Sequence, residues 1–101
     1  MSRVDVTMVR VYLVEGRDPV SKVLKRLEKA EVKGYTVFRG LAGQGDDHKR
    51  HKASLLDLSN ELPVVIEFYD TPARAEEMID ELASMVKADH IVSWPAQSGN
   101  Q

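Results

Sequence analysis

From Met8 to Val14 apolar and polar residues alternate: Val9, Val11 and Leu13 fall on one face, Met8, Arg10 and Tyr12 on the other. A period of two is that of a half-buried strand. The period then lengthens. Val20, Val23, Leu24 and Leu27 recur at helical spacing, opened by Asp18-Pro19 as an N-cap with proline in the first turn and closed by Lys33-Gly34. Tyr35-Thr36-Val37-Phe38, β-branched and aromatic, reads as a second strand, and Val64 to Tyr69 as a third with Pro63 at its start. Thr71-Pro72 repeats the cap-and-proline start, and Ala75, Met78, Ile79, Leu82, Met85 and Val86 form the stripe of a second helix. Glu76 and Glu77 near its start and Lys87 near its end complement its dipole. His90 to Trp94 reads as a short fourth strand stopped by Pro95, and 96–101 as a polar, frayed tail.

The order β-α-β-β-α-β predicts an α+β, ferredoxin-like domain over residues 1–95, a four-stranded antiparallel sheet with both helices on one face. Its other face is then bare. Arg10, Tyr12, Glu67 and Tyr69 point there in this register, and a mixed face of that kind predicts an oligomer.

Composition narrows the class of protein. The 101 residues are 43% hydrophobic and 30% charged, enough for one packed core and no more. A net charge of −2 argues against general nucleic-acid binding. No apolar run reaches the roughly 18 residues of a membrane span, and Met1 to Asp5 lack the apolar centre of a secretory signal, so the expected location is the cytoplasm. The absence of cysteine excludes disulfides and thiolate chemistry.

The segment from Arg39 to Lys52 concentrates the candidate chemistry. Gly40, Gly43 and Gly45 would free the backbone for positive φ and present amide N–H groups to an anion, with Arg39, Lys49, Arg50 and Lys52 supplying charge-assisted bonds to phosphate. The pattern matches neither a Walker loop nor GxGxxG, and a solvated loop with turn-forming glycines is the competing reading. His48 and His51, with Asp46, Asp47 or His90, could ligate a transition metal, although loop histidines are more often merely solvated. His51, His90, Glu67 and Asp57 are acid or base candidates, but no nucleophile and base share a telling spacing, which argues against an enzyme.

Three segments resemble one family: Arg10-Val11-Tyr12, the run Thr36-Val37-Phe38-Arg39-Gly40-Leu41-Ala42-Gly43-Gln44-Gly45, and His51 through Leu58-Ser59-Asn60-Glu61-Leu62-Pro63-Val64-Val65-Ile66-Glu67. Together they resemble the DUF190 family of small PII-like signalling proteins, from about Val9 to about Val92. The resemblance implies a homotrimer that is not an enzyme, binds an adenine nucleotide between subunits, and signals through a flexible loop, the T-loop of PII, here about 42–54. The partner it implies is a membrane transporter or channel, which would bring a cytoplasmic protein to the membrane. Arg39-Gly40 matches the family's RG pair, Gly43 and Gly45 the glycines of the PII GFG motif, and His51 a histidine that members usually keep. Gln44 replaces the aromatic of GFG, 86–90 lacks the PII glycine-rich phosphate segment, and the chain ends soon after Trp94. These departures put AMP or ADP ahead of ATP, with magnesium or bicarbonate as possible co-ligands. The nucleotide site implied comprises Arg39, Gly40, Gly43, Gln44, Gly45, Lys49, Arg50 and His51. A ligand-independent adaptor is the alternative.

Overall fold

The computed structural model describes residues 2–44 and 62–99, and the backbone of 50–52. Strand β1 (Arg3–Val14) is followed by helix α1 (Val20–Ala30), β2 (Tyr35–Arg39), a small pair β3 (Ala42–Gln44) and β4 (Arg50–Lys52), then β5 (Pro63–Asp70), α2 (Pro72–Leu82), a short 3₁₀ turn (Ala88–His90) and β6 (Ile91–Gly99). The main sheet is antiparallel in the order β2-β5-β1-β6. Both helices cover one face, as expected: Val9, Val11 and Leu13 of β1 and Val64, Ile66 and Phe68 of β5 pack against Val23 and Leu27 of α1 and Ala75, Met78 and Leu82 of α2.

Four local expectations are corrected. Pro95 does not stop the last strand, and 96–99 is not a frayed tail: β6 continues to Gly99 and pairs Ala96 with Val6 and Ser98 with Val4, which also extends β1 back to Arg3. The strand lies at the sheet edge, where proline is tolerated because one side carries no ladder. Asp18 does not cap α1. The cap position is Pro19, without a side-chain bond, and Asp18 Oδ2 instead accepts from the Val14 N–H at 2.7 Å, closing the turn out of β1. Helix α1 ends before Gly34, at Glu31, which takes the left-handed conformation (φ 54) while the Glu31 and Val32 N–H groups turn back to Glu28 and Leu27. Arg74 of α2 donates to the carbonyls of Ala30 and Glu31, so a long-range contact helps to set this terminus. Finally, the loop after β2 is not structureless throughout, since β3 and β4 form a ladder pairing Ala42 with Lys52, Gly43 with His51 and Gln44 with Arg50.

The start of α2 is as its sequence predicts, with Pro72 first and the Thr71 hydroxyl accepting from the Arg74 N–H. Asp70 just before it is 2% exposed, accepting from the Thr71 N–H at 2.7 Å and from Arg74 Nε at 3.0 Å.

Candidate functional site

Cross-strand partners share a face, so the register specifies what the bare side of the sheet carries. Three rows cross it: Tyr69, Met8 and Trp94; Thr36, Glu67, Arg10 and Val92; and Phe38, Val65 and Tyr12. Tyr12, Phe38, Val92 and Trp94 are between 36% and 49% exposed, which is unusual for large apolar side chains clustered on one surface. Arg10, Tyr12, Glu67 and Tyr69 all fall where the sequence put them.

The last row leads into a cleft of about 460 Å³ at the foot of the loop. Tyr12, Leu13, Val14, Phe38, Val64 and Val65 line it from the sheet, Arg39 and Gly40 from the end of β2 and the turn after it, Ala42, Gly43 and Gln44 from β3, and Pro63 and His90 complete it. Its walls are largely apolar, suited to a flat, uncharged ring with a few polar groups to orient it.

The glycines shape this cleft by close packing and not by unusual backbone. Among the described residues the only glycine at positive φ is Gly16, so the positive φ expected at Gly40 and Gly43 is absent. Pro63 instead leaves little room for a side chain at either position. A Cβ on Gly40 would lie 2.6 Å from Pro63 Cγ, and one on Gly43 would lie 3.0 Å from the same atom. The Gly40 N–H donates to the Pro63 carbonyl at 2.7 Å, which ties both feet of the loop together.

Arg39 lines the cleft, but its guanidinium is engaged elsewhere. It is paired with Val64, a core-facing position, so its side chain leaves on the helix face, away from Tyr12 and Phe38. There its Nε and Nη2 donate to the two carboxylate oxygens of Glu15 at 2.8 and 3.0 Å. Of the remaining expected site residues, Gly40, Gly43 and Gln44 line the cleft, and Arg50 and His51 stand in β4 opposite Gln44 and Gly43. The side chains of Arg50, His51 and Lys52 lie outside the described portion, as do Gly45, Asp46, Asp47, His48, Lys49 and Asp57. Among the described residues no group of three or more potential ligands could hold a metal ion.

Tyr12 and Pro63 fall within the family-like runs and His90 among the acid–base candidates, but nothing in the sequence brings the three into one cleft. Strand register could have found the first: Tyr12 and Phe38 both face Val65, a pairing visible once the two strands are aligned. No helix among the described residues is long and apolar enough to cross a membrane.

The profile of the DUF190 family, described as an uncharacterized ACR, matches residues 6–98. A UPF0166 protein of Aquifex aeolicus (strain VF5) is 32% identical over 68 residues, 67% of this chain; the chain spans only 65% of that relative's length. Among solved structures, CPII of Thiomonas intermedia K12 bound to ADP and bicarbonate is similar with a TM-score of 0.74 at 20% identity, covering 98% of this chain and 93% of CPII. CPII, a nitrogen regulatory PII-like protein, bound to ADP, AMP and bicarbonate has a TM-score of 0.75 at 19% identity, with 98% and 92% covered. A PII-like signaling protein of Thermus thermophilus has a TM-score of 0.64 at 13% identity, with 97% and 91% covered. The shared fold is that of PII-like proteins.

Proposed function

We propose that this chain, which belongs to the DUF190 family, is a PII-like regulatory protein that senses an adenine nucleotide and is not an enzyme. It assembles as a homotrimer through the bare sheet face, and the cleft at the loop foot then lies where subunits meet. AMP or ADP is the expected ligand ahead of ATP, with magnesium or bicarbonate as co-ligand. CPII, which has this fold, binds ADP, AMP and bicarbonate.

The observation that carries the reading is that one wall of the cleft is the loop itself. An adenine ring against Tyr12, Phe38 and Val65 would touch Ala42 and Gly43 of β3, so binding and loop conformation share the same contacts. Phosphate charge would be met from the loop by Lys49, Arg50 and His51, with Gly45 and Gln44 at its base, while Arg39 must first leave Glu15 to take part. The loop would report ligand state to a cytoplasmic face of a membrane transporter or channel, bringing the protein to the membrane only through that partner.

The test is isothermal titration calorimetry against AMP, ADP, ATP and cyclic AMP, with and without magnesium and bicarbonate, on protein whose mass is measured by light scattering. A trimer that binds saturably near one ligand per subunit is expected. A trimer that takes up none of these nucleotides would leave the loop as a ligand-independent adaptor and overturn the sensor reading.

A further inference from the structure

Two arginine–glutamate pairs stand near the cleft, and they differ in how completely they are satisfied. Arg39 and Glu15 are joined fork to fork, with both carboxylate oxygens accepting. Arg10 meets Glu67 through Nε alone, at 2.6 Å from Oε2. On its other side Glu67 is faced by Thr36 of β2. The Arg10 guanidinium stands 5.4 Å from the centre of the Trp94 ring, and its charge is held above the ordinary range by Glu67 first and then by the Tyr12 hydroxyl.

The open pair sits in the middle of the bare face. Met8, Tyr12, Val65, Tyr69, Val92 and Trp94 surround it, with Thr36 beside Glu67 on β2, so covering this face removes much apolar area from water and encloses one carboxylate and one guanidinium with it. An apolar cover would leave Glu67 Oε1 without a charged donor, which is costly for a buried carboxylate. A cover of a single charge sign would repel one member of the pair. A second copy of this chain, meeting this face with its own about a symmetry axis, would offer both a guanidinium and a carboxylate there.

We propose that Arg10 and Glu67 are the selectivity element of contact between copies of this chain, with Glu67 Oε1 accepting from the partner subunit's Arg10. The proposal rests on the oligomer reading above. Apolar neighbours supply the area and the charge pair selects the partner, since wrong partners leave it incomplete.

Sedimentation velocity on the wild type, R10E, E67R, the double variant R10E/E67R and the milder E67Q tests this, with circular dichroism to follow folding. The wild type assembles, each single reversal runs as a folded monomer, and the double exchange assembles again. For E67Q the dissociation constant rises by about tenfold or more. Single reversals that assemble like the wild type, or a folded double variant that stays monomeric, would overturn the proposal while leaving the oligomer intact. Should the reversals unfold, E67Q decides: an unchanged dissociation constant overturns the proposal. A monomeric wild type defeats the oligomer reading itself and this proposal with it.

Discussion

Gly40→Ala probes the contact that shapes the cleft. The added Cβ would stand 2.6 Å from Pro63 Cγ and 3.4 Å from both Pro63 Cβ and the Pro63 carbonyl oxygen. Carbon atoms prefer separations of about 3.5–4.0 Å, so the first contact is nearly an ångström too short. A proline ring cannot swing aside as a lysine tip can. Nor can the strands part freely, because the Gly40 N–H is bonded to the Pro63 carbonyl at 2.7 Å. Overpacking of this kind costs about 1–3 kcal/mol. At about 4–8 °C per kcal/mol for a domain of this size, melting should fall by about 4–24 °C. Thermal unfolding followed by circular dichroism measures it. Gly43→Ala, with its nearest contact at 3.0 Å, should lose less, and Gly34→Ala, with nothing within 4 Å, should be neutral or slightly stabilising. Adding Pro63→Ala to Gly40→Ala should recover stability relative to the sum of the single losses, since the two sites are in contact. A Gly40→Ala protein that melts with the wild type, or strict additivity in the double variant, would refute the argument.

Two further predictions concern the helix side. Asp70→Ala removes a buried carboxylate that accepts from the Thr71 N–H and from Arg74, and should cost about 2 kcal/mol in urea unfolding, against less than about 1 kcal/mol for Glu15→Ala at the exposed Arg39 pair; equal losses would show that burial is not what matters. The Tyr35 hydroxyl donates to Glu28, which holds its proton above the usual phenol range. The folded state therefore keeps this proton longer than the unfolded chain, so the contribution is complete below about pH 10 and is lost as pH rises through the raised value. Tyr35→Phe should flatten that part of the alkaline stability decline, and an identical decline in both proteins would exclude the contact as its source.

The sites that sequence reasoning placed well are those where one local rule suffices. Thr71-Pro72 starts α2 because capping involves only adjacent backbone. The alternation from Met8 to Val14 assigns Val9, Val11 and Leu13 to the core, because a strand has only two faces. Errors gathered where a distant segment decides. Whether Pro95 interrupts a strand depends on whether its free side meets another strand, and the sheet order answers that. Where α1 ends depends partly on Arg74, more than 40 residues away, reaching Ala30 and Glu31.

By itself, the sequence determined the types and order of the four main strands and two helices, the apolar stripes, the bare sheet face and the family, because these follow from periodicity and from motifs read along the chain. Only the tertiary structure decided which face Arg39 leaves from, that Pro63 crowds Gly40 and, less closely, Gly43, that β3 and β4 pair, and that Tyr12, Pro63 and His90 enclose one cleft. Each of these depends on strand register or on the closest approach of groups far apart in the chain, quantities that local propensity does not encode.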